Sequence, residues 1–362
     1  MNNIGIYVHV PFCESKCPYC DFYSVRYDSS QTENYISSVL RSMEKYRGLP
    51  ADTLYFGGGT PSVLGGDNLS EMIKKIGEIF NFYKPEITVE CNPSSCTPEL
   101  FEKLAEARVN RISLGLQSAN DDERRKLGRR SDREKVRQAI NNAKANGITN
   151  ISLDLMLGIE NQTFESLKKS VDFCLENEVK HISAYILKIE DGTHFARIKD
   201  KLNLPDEDET CDLYLHACEL IEQGGLKQYE ISNFAQKGFE SRHNLKYWNC
   251  EEYLGFGPSA HSFYDGKRFY FERKIEDNPT PIPDGNGGDL EEFFMLRLRL
   301  SEGISEEEII KKYNRSFSDS FLKKVKEFEN YGLIKNQNKT ISLTKQGFLI
   351  SNTIISELED LL

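Results

Sequence analysis

A chain of 362 residues is long enough for one large domain and a smaller one, and 38% hydrophobic with 11% aromatic content suits an ordinary globular protein. A formal net charge of −11 argues against a broad nucleic-acid-binding surface, which would be basic, and no run approaches the roughly 18 apolar residues of a membrane span. Nine cysteines, an odd number, argue against a disulfide scaffold; with no charged-then-apolar leader at the start, the expected location is the cytoplasm.

The first predicted element is a strand, Ile4–Val10, which ends at Pro11 and runs directly into Cys13-Glu-Ser-Lys-Cys17-Pro-Tyr-Cys20. Three cysteines within eight residues, at CxxxCxxC spacing on the exit of a strand, can aim their sulfurs at one point. Thiolates hold zinc or iron–sulfur clusters. A structural zinc site wants four ligands, whereas the other cysteines (Cys91, Cys96, Cys174, Cys211, Cys218 and Cys250) are scattered. Three thiolates without a fourth suggest a [4Fe-4S] cluster with one iron open to a small ligand.

Further strands are expected at Thr53–Phe56, Ile87–Cys91, Arg111–Leu116, Ile151–Leu157 and His181–Leu187. Between them lie apolar stripes of helical period: Tyr35, Ile36, Val39, Leu40 and Met43; Met72, Ile73, Ile76, Ile79 and Phe80; Phe164, Leu167, Val171, Cys174 and Leu175. Regular strand–helix alternation implies a parallel sheet with right-handed crossovers, here an open, partial (β/α)6 barrel. Chemistry in such folds gathers at the carboxyl ends of the strands, where the polar motifs of this chain fall. A helix follows over Glu207–Gln223, then an aromatic- and glycine-rich block, Gln228 to Phe263. Pro279 to Gly288 reads as a linker. Beyond it, helices near Leu290–Leu300, Ser305–Tyr313 and Asp319–Tyr331 precede a hairpin over Leu333–Leu343, a winged-helix-like arrangement. Residues 289–362 carry 11 Lys+Arg against 13 Asp+Glu, net −2, so packing or lid duty is expected of them rather than DNA reading.

The strand ends carry the other candidates. Gly57-Gly58-Gly59-Thr60 lets backbone approach a ligand closely, or is a plain tight turn. Glu90, in Thr88-Val-Glu90-Cys-Asn-Pro93, can accept from vicinal ribose hydroxyls, or is a solvated acid. Gln117 offers a donor and an acceptor, and Asp154, between Leu153 and Leu155, is costly there unless bonded. Arg129 can meet a carboxylate bidentately.

The cysteine motif followed by Gly57-Gly58-Gly59-Thr60-Pro61 resembles the radical S-adenosylmethionine (SAM) superfamily. Tyr7-Val-His9-Val-Pro11-Phe12-Cys13 and Cys20-Asp21-Phe22 resemble the oxygen-independent coproporphyrinogen III oxidase family, and within it the heme chaperone branch. The resemblance implies a radical SAM core over 1–205, an extension over 206–278 and the winged-helix-like domain over 289–362. It implies cluster ligation by Cys13, Cys17 and Cys20, and SAM contacts at Tyr7, Gly58, Gly59, Thr60, Glu90, Gln117, Arg129 and Asp154. It further implies reductive cleavage of the SAM sulfonium to a deoxyadenosyl radical, the cofactors carrying the hard chemistry.

Two readings separate within that family. The oxidase branch resembles CxxxCxxCxC and carries an N-terminal arm; this chain has Phe22 at the last position and only a few residues before the strand. His243-Asn244-Leu-Lys-Tyr247-Trp248 matches the HNxxYW motif of the chaperone branch. His243 is therefore a candidate heme ligand on a mobile aromatic loop, the alternative being a hydrogen-bonded structural histidine. Lys188 and His261 occupy the places where the oxidase branch meets a second SAM. The expectation is a heme chaperone binding a SAM-liganded cluster and heme, without oxidase activity. The alternative is a coproporphyrinogen III oxidase that decarboxylates propionates to vinyls. The implied partners are heme, an acceptor protein and an electron donor, with no nucleic acid and with membrane contact only through a partner.

Overall fold

A computed structural model describes residues 3–362. Strand β1 (Ile4–Val10) leads into a short parallel ladder, β2 (Phe12–Cys13) with β3 (Val25–Arg26), whose intervening loop carries Cys17 and Cys20. The main body then alternates α1 (Thr32–Met43), β4 (Pro50–Gly58), α2 (Gly66–Ile79), β5 (Asn81–Cys91), α3 (Pro98–Glu106), β6 (Arg111–Gln117), α4 (Asp121–Lys126), α5 (Arg133–Ala145), β7 (Asn150–Leu157), α6 (Phe164–Glu176) and β8 (His181–Ile186). β1, β4, β5, β6, β7 and β8 are hydrogen-bonded neighbours in that order, every pair parallel. The expected strands are all present, and the sheet stays open as expected.

Side-chain parity explains what these strands do. Ile6, Val8 and Val10 of β1, Leu54 and Phe56 of β4, and Ile112, Leu114 and Leu116 of β6 are buried on the helix-facing side. The intervening residues, Tyr7, His9, Thr53, Tyr55, Arg111 and Ser113 among them, point into the lumen. A parallel sheet covered on both faces normally reads as a continuous apolar run. Here one face is polar, because the lumen is a binding cavity.

After α7 (His194–Arg197), α8 spans Glu207–Gln223, as the periodicity predicts, opened by an Asp206–Glu209 capping box. β9 (Lys227–Gln228) and β10 (Asn233–Ala235) extend the β8 edge antiparallel. After α9 (Arg242–Trp248), β11 (Tyr253–Phe256) joins the opposite edge parallel to β1, followed by β12 (His261–Tyr264), β13 (Lys267–Tyr270) and β14 (Ile282–Asn286). Residues 206–278 thus continue both edges of one 12-stranded sheet.

The segment read as a linker is a strand: β14 pairs antiparallel with β13. Pro283 and Gly285 are tolerated because β14 is the outermost strand, where no partner needs every backbone N–H. Phe164, expected on the buried stripe of α6, is 51% exposed. It is the first residue of its helix, and its ring meets the His216 ring of α8 edge to face at 5.0 Å.

The C-terminal part holds α10 (Leu290–Arg297), β15 (Ile304–Ser305), α11 (Glu306–Tyr313), α12 (Asp319–Asn330), β16 (Ile334–Gln337) and β17 (Thr340–Leu343). Two helices not anticipated, α13 (Lys345–Leu349) and α14 (Ser351–Glu359), close it. Phe321 lies fully buried between Phe317, stacked at 4.4 Å, and Phe294, edge-on at 5.7 Å. Phe321→Ala should cost about 3–5 kcal/mol of this module's stability, measured by urea unfolding.

Candidate SAM and iron–sulfur site

The cysteine loop is held by backbone. Val25 N donates to Pro11 O at 2.7 Å, Tyr27 N to Cys13 O at 2.8 Å, and Cys20 N to Cys17 O at 3.2 Å. Lys16 Nζ donates to Phe22 O at 3.1 Å. All three thiols are free and partly exposed. They line a cavity of about 550 Å³ together with Gly58, Gly59, Thr60, Glu90, Gln117, Arg129 and Asp154. Sequence positions spread over five strands and three loops thus meet at one place.

The glycines are there for close approach. Gly58 has φ of 102°, and a Cβ on it would lie 2.5 Å from the His9 ring. A Cβ on Gly59 would come within 2.7 Å of two carbonyl oxygens, Val10 O and Phe12 O. The backbone N–H groups of Gly59 and Thr60 donate to those same two carbonyls at 2.8 and 2.7 Å, so the turn is locked.

The lumen walls supply polar groups. Tyr55 Oη donates to Glu90 Oε1 at 2.7 Å, and Ser113 Oγ to Asp154 Oδ1 at 3.1 Å. Burial lifts the Glu90 carboxyl to about 7; the Tyr55 hydrogen bond opposes the rise and Asp154 adds to it. Burial also raises the Asp154 carboxyl, against hydrogen bonds from Ser183 and Ser113. Arg129 Nη2 donates to Tyr19 Oη at 2.8 Å. Gln117 sits at φ 67°, beside a register shift between β6 and β7, a strained conformation for a residue with a side chain.

Several of these groups lack partners. Gln117 Oε1, Arg129 Nε, and Arg111 Nε and Nη1 are buried with no hydrogen bond among the described residues. Each such group costs about 1–3 kcal/mol until something satisfies it. An amino acid with a ribose and a base suits that set: carboxylates for a diol, guanidinium for a carboxylate, amide for either.

The thiols suit a cluster. Burial, with the adjacent Cys17 and Cys13 thiols, pushes the Cys20 thiol up to about 11 against a backbone hydrogen bond at Phe22. Crowded thiols of this kind lose their protons to a bound cation. Among the described residues no three Cys, His, Asp or Glu side chains close on a single ion.

Two expected site residues lie elsewhere. Tyr7 faces the lumen behind Tyr55, its ring 6.2 Å from that ring, and its Oη bonds His9 Nδ1 at 3.2 Å. His243 is 1% exposed on α9, not on a mobile loop, with Nδ1 on Thr53 Oγ1 at 2.8 Å and Nε2 on Tyr247 Oη at 2.7 Å. Burial, aided by Lys246 and Arg111, pushes its pKa down to about 3, so the ring is neutral and fully bonded. Heme ligation by His243 is not available in this conformation. Lys188 stands at the cavity rim, paired with Glu190 at 2.7 Å, whereas exposed His261 stacks on Tyr270 at 5.3 Å away from the cavity. Tyr19, Tyr55 and Arg111 line the cavity and were not singled out in sequence. Strand parity would have found Tyr55, which faces the lumen beside Glu90.

An open parallel barrel with a three-cysteine loop and a glycine turn at its mouth defines a radical SAM protein. The Radical SAM superfamily model matches residues 7–174 and the HemN C-terminal domain model residues 289–350. Heme chaperone HemW of Bacillus subtilis is 34% identical, covering 96% of this chain and 97% of that relative. The HemW of Escherichia coli is 29% identical over 97% of both chains. The solved coproporphyrinogen III oxidase HemN of Escherichia coli superposes with a TM-score of 0.83 at 21% identity, covering 99% of this chain and 91% of that one, a likeness of fold. The chain belongs to the HemW family of radical SAM proteins.

Cys13→Ala, Cys17→Ala or Cys20→Ala should each abolish a full four-iron complement after anaerobic reconstitution, measured as iron and sulfide content. Cys250→Ala should retain it.

Glu90 makes a second prediction. Its folded-state pKa of about 7 exceeds its ordinary 4.5, so its stabilising share is complete below about 4.5 and lost as pH rises through 7. Without ligands, Glu90→Gln should therefore be more stable than the parent at pH about 8, by up to about 3 kcal/mol. The difference should vanish in urea melts near pH 4.5.

Proposed function

We propose that this protein is a cytoplasmic heme chaperone: it holds a [4Fe-4S] cluster and SAM in the barrel, binds heme at the barrel mouth, and passes it to an acceptor protein. The observation that carries the reading is full-length similarity to relatives named heme chaperone HemW, together with a lumen built for SAM. Cys13, Cys17 and Cys20 hold the cluster, Glu90 takes the ribose hydroxyls, and Arg129 with Gln117 takes the remaining polar groups. Bound there, the cluster and SAM supply one-electron chemistry shielded from water.

The lip of the cavity supports the heme assignment. Phe22 is 62% exposed, and Tyr185 and Ile186 are each 41% exposed, all three on the cavity that holds the cysteines. Exposed large apolar residues sharing one cavity mark a binding surface. Their rings and branches suit a flat porphyrin face, and Lys16 and Lys188 on the same cavity suit its propionates. Phe22 occupies the position of the oxidase branch's last cysteine, so the same residue that removes a thiol adds a packing surface. No helix among the described residues is long and apolar enough to cross a membrane. A membrane-bound acceptor would therefore be met through that partner.

The test is a hemin titration followed in the Soret band, paired with an activity assay. Stoichiometric binding is expected, and Phe22→Ala should weaken it by about 1–2 kcal/mol through lost apolar contact. Anaerobic incubation with coproporphyrinogen III, SAM and reductant should yield no vinyl product. Vinyl product would establish the oxidase instead.

A further inference from the structure

The HNxxYW segment remains unexplained once His243 is removed from the heme site. It forms α9, and α9 lies across the bottom of the lumen. Ser241 Oγ accepts from Asn244 N at 3.4 Å. The backbone N–H groups of Arg242 and His243 donate to Glu86 Oε2 and Oε1 at 3.2 and 3.1 Å. Lys246, itself buried, reaches Asp52 Oδ1 at 2.9 Å and Glu251 Oε2 at 3.1 Å. Asn244, the next residue after His243, lines the cavity itself.

Above this helix a short relay leads to the ligand. The Tyr55 ring stacks on the His243 imidazole at 5.2 Å and 26°, with Tyr7 beside it at 6.3 Å and 26°. Tyr55 Oη in turn donates to Glu90 Oε1. There is little slack: a Cβ on Gly57 would lie 2.9 Å from Tyr55 Cε1 and 3.0 Å from Glu90 Oε1. A Cβ on Gly5 would lie 3.2 Å from His243 Cε1, so β1 presses on the imidazole from the other side. The imidazole has a bonded partner on each nitrogen, which fixes its plane and therefore the plane of the tyrosine resting on it.

We propose that α9 is the floor of the SAM cavity and that His243, through the Tyr55 ring, is a positioning residue for the Glu90 carboxylate. The proposal rests on reading the cavity as the SAM site. Glu90 Oε1 accepts from Tyr55 Oη, and a backbone hydrogen bond at Gly58 also meets the carboxylate that would take the ribose hydroxyls. Without the imidazole shelf the Tyr55 ring loses its backing, and the carboxylate loses the side-chain donor that helps set its angle. On this reading His243 acts on SAM through Tyr55 rather than as a heme ligand.

The test measures SAM and hemin affinity separately, by calorimetry and by Soret titration, on reconstituted full-length protein. Tyr55→Phe keeps the stack and removes the donor; SAM affinity should fall about tenfold, the worth of one hydrogen bond to a charged group. His243→Ala should lower SAM affinity to a similar extent, and His243→Gln, able to bond Thr53 and Tyr247, should recover part of it. In the double variant Tyr55→Phe with His243→Ala the losses should not add, because both act through one contact. Hemin affinity should be unchanged throughout. Loss of hemin binding in His243→Ala with SAM affinity intact would overturn the proposal and return the histidine to heme. Undiminished SAM affinity in Tyr55→Phe, which decides the matter should His243→Ala not fold, overturns it too. If the parent protein binds no SAM at all, the cavity reading itself falls.

Discussion

Everything functional here depends on side-chain parity in six parallel strands. Successive residues of a strand point to opposite faces, so a one-residue slip would turn Glu90, Arg111 and Asp154 into the helix layer and drive leucines into the lumen. The pairing shows how tightly this is held. Glu90 stands opposite Ser113, Ser113 opposite Ser152, and Asp154 opposite Ser183. Small hydroxyl side chains next to the two acids leave room in the lumen and supply donors. The apolar rows on the other face, buried against α1, α2, α3, α5 and α6, are what make a slip expensive.

The lumen is costly in the absence of ligands. Two carboxylates raised above their ordinary pKa by burial, a buried arginine with unmet N–H groups and a glutamine in a left-handed conformation all oppose folding. These costs are repaid by burial elsewhere and by ligands that meet the unpaired groups. The cysteine loop is built differently: backbone bonds fix its ends, while the thiols themselves make few contacts, Cys13 Sγ with Thr60 Oγ1 at 3.4 Å being one. A rigid frame with underused side chains is what a metal cluster needs.

The C-terminal module contributes to the same site from below. Arg297 on α10 bonds Asn249 at the end of α9, and Glu302 and Glu308 hold Arg297. Glu230 bridges to Leu300, and Lys345 pairs with Glu222 on α8. The module thus packs against the end of the helix that carries His243.

Much of this was legible in the chain. Local chemistry and period set the strand and helix order, the bounds of α8, and the pairing of a CxxxCxxC loop with a glycine turn, because each depends on residues near one another in sequence. Parity, read off β4 and β5, would have added Tyr55. Three features depended on distant segments. Pro279 to Gly288 has the composition of a linker and becomes a strand because β13 offers an edge beside it. Phe164 belongs to an apolar stripe yet protrudes, because it is the first residue of α6, where it meets the His216 ring of α8 and stays half exposed. His243 has the chemistry of a ligand, and its motif gives no sign of where it will be. Thr53, 190 residues earlier, takes one nitrogen, and two acids of β4 and β5, Asp52 and Glu86, hold its helix. A histidine's reactivity is set by which of its nitrogens is free, and only the tertiary structure decides that.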